Sequence, residues 1–215
     1  MKKRILGKYD IISLIICLMT IIPGLMIYKD LPKEVAVHFD INGNADGFAS
    51  RGFTCFVMPL IFTAIQLVLC IITNLAWKEE KNKKGEMVIK ILPAIVFFVM
   101  MIWMLLNAKE KNLDIEAFVG IVMTVIFLVC GNFLPKIRRN AFYGIRTPHT
   151  LASPEVWDKT HRFAGPFVFV SGFLSMIITV MGMHLWVLFV IILVTIIVPL
   201  IYSEIVYREF KKSTK

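Results

Sequence analysis

The chain has 215 residues, 58% of them hydrophobic, and a mean hydropathy of +0.75. Soluble domains are about 45–50% apolar, so the composition excludes an ordinary soluble fold and points to a membrane protein. A net charge of +9 would suggest nucleic acid in a soluble chain, but here the charges lie between apolar runs, which argues against direct nucleic-acid binding.

The chain begins Met-Lys-Lys-Arg, and Ile11–Tyr28 follows as an apolar run. This resembles a signal peptide, yet Met26-Ile27-Tyr28-Lys29 is too bulky for a cleavage site, so an uncleaved first span is expected. In the polar interval Lys29–Gly52, Val35, Val37 and Phe39 alternate with Ala36, His38 and Asp40, the period of a strand. Asn42-Gly43 is a hairpin signal. Further apolar runs are Phe53–Trp77, Met87–Leu106, Ala117–Leu134, Ala164–Met183 and Leu185–Tyr202. Each approaches the ~20 residues a helix needs to cross the hydrocarbon core. The short Met181–His184 link makes the last two spans an antiparallel hairpin. Cys17, Cys55, Cys70 and Cys130 all fall inside apolar runs, without the spacing of a disulfide frame or zinc site, and read as buried small hydrophobes.

Residues 140–162 lie in the longest polar interval between two strongly apolar runs. Asn140–Thr150 reads as a turn-rich loop: Gly144 permits unusual backbone angles, and Pro148 disfavours helix at Thr147. Ser153-Pro154-Glu155 reads as a helix start, with a capping hydroxyl, proline at the first position and an acid at the positive end of the dipole. Val156, Trp157, Thr160 and Phe163 then share one side. Glu155/Lys159 and Asp158/Arg162 are spaced to pair on the other. Such a helix is expected to lie flat among headgroups, with Trp157 as its anchor.

With six spans and the N-terminus inside, 19 of the 24 Lys and Arg fall on cytoplasmic segments. The positive-inside rule therefore predicts cytoplasmic termini, a cytoplasmic 140–162 element and an extracellular hairpin. The fold class expected is an all-α integral membrane protein of six transmembrane helices, with that hairpin-like loop and a cytoplasmic amphipathic helix. Its parts are residues 1–52 (first span and hairpin), 53–134 (spans two to four), and 135–215 (motif, amphipathic helix and last two spans).

The run N-x-x-x-G-I-R-T-P-x-T-L-x-S-x-x-V-W-x-K-T-H-R-x-A-G, from Asn140 to Gly165, resembles the signature of the SdpI family of bacterial membrane proteins. His149 stands where the family pattern has an aromatic, often Trp. The outer loop, L-P-x-x-V-x-x-H-F-x-x-x-G-x-x-D-G-F, resembles a domain of unknown function often found ahead of that motif. The resemblance implies a cell-membrane immunity protein, not an enzyme, that confers resistance to a secreted SdpC-like peptide toxin. It also implies a signalling arm, in which a winged-helix repressor is captured at the cytoplasmic face. On that basis the toxin-facing residues are Pro32, His38, Phe39, Gly43, Asp46, Gly47 and Phe48. The cytoplasmic motif residues are Asn140, Gly144, Arg146, Thr147, Pro148, Thr150, Trp157, Lys159, His161 and Arg162.

Competing chemistries are weaker. Asn42, Asn44, Asp46 and Gly47 sit in register with a calcium loop, but Phe53 stands where its bidentate Glu belongs. His38 with Asp40 and Asp46 is thin for a metal centre, so no metal or cofactor is expected. His149, His161, Asp158 and Glu155 invite a catalytic reading, but no G-x-S-x-G, H-E-x-x-H or phosphate-cradling loop accompanies them. A small permease or toxin exporter is the alternative function, because Pro23-Gly24, Pro59, Pro93 and Pro199 can break helices as in transporters. Against it, no Asp, Glu, Arg or His sits in mid-membrane, and Lys90 and Glu204 lie near span ends, where they can snorkel. Basic Lys78–Lys90 and Lys136–Arg146 read as headgroup-facing charges.

Overall fold

The computed structural model describes residues 6–76, 83–110, 113–140 and 142–213. It divides into two compact units, Met1–Leu75 with Glu86–Phe118, and Ala76–Gly85 with Val119–Lys215. Six helical segments are long and apolar enough to cross a membrane: Lys8–Asp30, Phe53–Leu75, Gly85–Glu110, Ile115–Lys136, Pro154–Val180 and Leu185–Ser213. The protein is a multi-pass membrane protein, as the hydropathy pattern predicts.

The first unit opens with α1 (Lys8–Met19) and α2 (Ile21–Ile27). They meet at Thr20 because Pro23 has no N–H for the Met19 carbonyl. The Thr20 hydroxyl instead donates to the Cys17 carbonyl at 2.6 Å. A hairpin follows, of β1 (Glu34–Phe39) antiparallel to β2 (Ala45–Ser50), as the alternation predicts. After a π-helical turn at Phe53–Val57, α3 (Met58–Ala76) and α4 (Lys83–Glu110) complete the unit. Gly24 lets α2 close on that turn: a Cβ there would stand 3.0 Å from the Cys55 Cβ. Leu31, Cys55, Phe62, Met101 and Leu105 form the core, with Phe62 stacked on Phe97 at 4.7 Å. The four cysteines are free, three of them buried.

One expectation fails in this unit. Lys90 does not snorkel; its side chain has no exposed surface. Its ammonium lies 2.5 Å from Asp10 Oδ1, 2.9 Å from Glu86 Oε1 and 2.7 Å from Asn74 Oδ1. Asp10 in turn accepts from the Gly7 N–H at 2.6 Å and the Asn74 amide at 2.9 Å. Asp10, Glu86 and Lys90, all in span segments, are therefore buried against one another. A lysine can snorkel only if its stem has a free path to the headgroups, and packing of α1 and α3 on α4 removes that path.

The second unit holds α5 (Ile115–Phe133, from Val119 on), α6 (Pro148–Ala152), α7 (Pro154–Val180) and α8 (Leu185–Ser213). α5 and α7 pack backbone to backbone through small residues. A Cβ on Gly120 would collide with Thr179, one on Gly131 with Phe169 and Gly165, and one on Gly172 would press on Leu128. Lipid tails are as apolar as leucine, so close van der Waals contact must hold such helices together. α7 ends in a left-handed turn at Gly182 (φ +64°), where Met183 N donates to Ile178 O and Gly182 N to Thr179 O. The chain then returns as α8 in the expected antiparallel hairpin, with Phe163 stacked on Tyr202 at 4.0 Å.

The expected amphipathic helix is present but is not separate. It forms the first turns of α7, which runs unbroken from Pro154 to Val180. Trp157 is likewise no headgroup anchor, because it is fully buried.

Candidate functional site

The motif loop folds against the head of α7, within the second unit. Asn140 sets its first turn: Oδ1 accepts from Phe142 N (2.8 Å) and Tyr143 N (2.9 Å), and Nδ2 donates to the Arg138 and Tyr143 carbonyls. An Asn side chain that mimics backbone in this way makes the turn without a regular ladder. Gly144 follows at φ +100°, and a Cβ there would collide with His161 Nε2. The glycine is thus required both by its backbone angle and by the ring against it.

Trp157 and His161 form the floor beneath this turn, stacked at 4.0 Å. Trp157 Nε1 donates to the Ile137 carbonyl at 2.8 Å. His161 Nε2 lies 3.0 Å from the Ile145 N–H, and Nδ1 lies 2.9 Å from the Trp157 carbonyl. An N–H can only donate and a carbonyl can only accept. The imidazole is therefore the neutral Nδ1–H form with both nitrogens engaged, which leaves none for a metal or a substrate proton.

Thr147 is extended (φ −107°), as the following proline demands, and it caps α6. Its Oγ1 accepts from Thr150 N at 3.1 Å, while the Thr150 hydroxyl accepts from Thr147 N and donates to Ile145 O at 2.8 Å. Pro148 occupies the first helical position. Sequence reasoning placed this stretch in a loop; the reciprocal threonine cap makes it a helical turn instead. Arg139 Nη1 reaches the Leu151 carbonyl at 2.9 Å. Ser203 of α8 lies 3.2 Å from Thr147 Oγ1. His149 stacks on Tyr207 at 4.3 Å and pairs through Nε2 with Glu204, which also holds Arg208.

The outward face is charged. Lys159 pairs with Glu155 at 2.8 Å, as the spacing predicts. The other expected pair, Asp158 with Arg162, makes no ion pair among the described residues; both side chains point to the exterior, where long-range solvation competes well with an exposed pair. Arg146 is exposed and makes no hydrogen bond or ion pair among the described residues.

The hairpin is a second, independent candidate. Its register pairs Glu34 with Ser50, Val35 with Ala49 and Ala36 with Phe48, and then slips so that His38 faces Gly47. A Cβ on Gly47 would stand 2.8 Å from that of His38, so the glycine admits the ring. His38 Nδ1 meets Asp46 Oδ1 at 2.5 Å across the strands. Asp40 does not join them. Its carboxylate turns into the loop and accepts from Asn44 N (2.8 Å), Asn42 N (2.9 Å) and Asn44 Nδ2 (3.2 Å), and these bonds, the Asn44 amide first, hold its pKa below the usual carboxylate value. Gly43 takes φ +80° at the tip. No group of three or more metal-ligating side chains exists among the described residues. Val35 is buried and Phe39 meets Trp103 at 5.5 Å, which seats the hairpin on its unit. Pro32 is half-buried, whereas Phe48 and Ile41 are more than half exposed.

Residues 136–203 match the SdpI/YfhL protein family. That segment opens just after α5, contains the whole motif loop, and ends in α8 at the serine that touches Thr147. Residues 15–63, which include the hairpin, match a domain of unknown function, DUF1648. A curated relative, "Immunity protein SdpI" of Bacillus subtilis (strain 168), is 25% identical over 206 residues, 95% of this chain and 97% of that protein. No solved structure matches the chain.

Within the SdpI/YfhL segment, the structure brings Asn140, Gly144, Thr147, Pro148, Thr150, Trp157 and His161 into one folded knot, while Arg146, Lys159 and Arg162 stay on its outer face. Sequence reasoning missed the Asp10–Lys90–Glu86–Asn74 cluster. The i, i+4 spacing of Glu86 and Lys90 was its available signal; Asp10 and Asn74 carried none. It also missed the stacking of His149 on Tyr207.

Proposed function

We propose that this chain is a membrane immunity protein that protects a bacterial cell from a secreted, SdpC-like peptide toxin. The observation that carries the reading is its 25% identity to an immunity protein along nearly the full length of both chains. The hairpin with His38, Phe48 and the exposed Ile41 is then the toxin-facing surface, and it needs no catalytic set. The excess of basic residues flanking one side of the spans supports a cytoplasmic position for both termini and for the SdpI/YfhL segment. The same face captures a winged-helix repressor when toxin is bound, through the exposed Arg146, Lys159 and Arg162.

The test is expression of the chain alone in a sensitive Gram-positive host challenged with such a toxin. Protection is expected, together with its loss when residues 33–50 are removed from a variant that still inserts. Protection that survives the deletion refutes the hairpin's role. For topology, Asn44→Cys in a cysteine-free background should label from outside intact cells, and Ser153→Cys only after the membrane is opened; the reverse refutes the orientation.

One observation favours a second reading, a small permease or toxin exporter. Asp10 and Lys90 are buried ionisable groups within the spans, where carriers place their coupling sites. Uptake or extrusion of labelled toxin by proteoliposomes, abolished in Asp10→Asn, would support it over neutralisation by binding.

A further inference from the structure

We propose that the motif loop is a binding site for anionic phospholipid, with Arg138, Arg139 and Arg146 gripping the headgroup phosphate and Phe142 and Leu151 entering the acyl boundary. The inference is independent of the immunity reading. It starts from charge: between Glu116 and Glu155 the sequence has no acidic residue, and Lys136, Arg138, Arg139 and Arg146 all fall in that interval. Arg138 and Arg146 make no ion pair among the described residues, and all three arginines are exposed. The charges of Arg138 and Arg146 thus lie on one loop with no ion-pair partner among the described residues.

Geometry adds rigidity. The loop is tied to the head of α7 at the Trp157–Ile137 bond and the His161–Ile145 bond. Arg139 is oriented by its 2.9 Å bond to the Leu151 carbonyl, through Nη1 alone, so its remaining N–H groups stay available. A guanidinium fork held in place loses less freedom when it takes a phosphate.

Apolar exposure selects the ligand. Phe142 is 44% and Leu151 38% exposed, and Leu151 supplies the very carbonyl that orients Arg139. Free phosphate or an acidic polypeptide would use only the arginines. A phospholipid at the headgroup level uses both chemistries, phosphate with guanidinium and acyl chain with ring and leucine.

The test uses the full chain, purified and placed in phosphatidylcholine nanodiscs, with phosphatidylglycerol then added in steps and followed by native mass spectrometry or by thermal stability. Phosphatidylglycerol should bind in preference to phosphatidylcholine and weaken as salt rises. Arg146→Gln, which breaks no internal bond, should cost about five-fold in affinity; with Arg138→Gln and Arg139→Gln added, the loss should be on the order of a hundred-fold. Phe142→Ser should weaken lipid binding without altering the response to salt. Equal affinity of wild type and triple variant would overturn the proposal. So would equal stabilisation by inorganic phosphate or glycerol phosphate, or by soluble polyglutamate with no preference for phosphatidylglycerol.

Discussion

Replacing Lys90 with methionine should be among the most damaging single changes in the first unit. The ammonium and the Asp10 carboxylate are 2.5 Å apart with no exposed surface on either side chain. At an effective dielectric of about 20, such a pair attracts by roughly 6–7 kcal/mol. Desolvation of both ions offsets much of that, so the intact pair contributes little net stability. Removing one partner is a different matter. Lys90→Met leaves the Asp10 charge buried, with Glu86 losing the same ammonium, and about 3–5 kcal/mol should be lost. Asp10→Asn in the same chain should restore part of the loss, since the neutral amide needs no counter-charge and still offers an oxygen to the Gly7 N–H, while Glu86 remains without the ammonium. Equilibrium unfolding in mixed micelles or bicelles, run as a double-mutant cycle, measures both numbers. A loss below about 1 kcal/mol, the range of an exposed pair, would refute the reasoning: it would mean that Lys90 reaches the headgroups after all.

Three further outcomes follow from the two loops. Gly144→Ala should cost more than Gly182→Ala although both glycines have positive φ, because a Cβ on Gly144 would collide with His161 while one on Gly182 would meet nothing within 4 Å; strain alone is about 1–3 kcal/mol, and unfolding of the two variants in mixed micelles reports the difference. Equal effects would show that the ring moves aside freely. Asp40 gains its hydrogen bonds as an anion, so its folded pKa lies below the unfolded one, and the turn's support is complete above the ordinary carboxylate pKa of about 4. The hairpin should therefore loosen as pH falls from there through the lower, folded value, and Asp40→Asn should remove that pH dependence in amide exchange of Asn42 and Asn44. In an assay of repressor capture at the membrane, Arg146→Lys should fail nearly as badly as Arg146→Ala, because an ammonium cannot reproduce a planar fork; full capture by the Lys variant would show that charge alone matters there.

Much of this protein is legible without coordinates. Six apolar runs give six spans because a helix is the only open-chain structure that satisfies every backbone group in lipid. The hairpin was legible because Val35, Val37 and Phe39 alternate with Ala36, His38 and Asp40 and Asn42-Gly43 turns the chain. The start of α7 was legible because Ser153-Pro154 caps locally; its continuity into the fifth span was not, since charged residues at the head of a long helix look like a separate surface helix. Burial decided the rest. Trp157 reads as an interfacial anchor until the 137–145 loop folds over it and gives its indole N–H the Ile137 carbonyl. Lys90 reads as a snorkelling end until Asp10, 80 residues away in sequence, arrives beside it. Local pattern records only which groups a helix face presents; whether a polar group meets water, lipid or a partner depends on which distant segment packs against that face, and in a medium without hydrogen-bonding solvent that choice fixes its charge, its tautomer and its role.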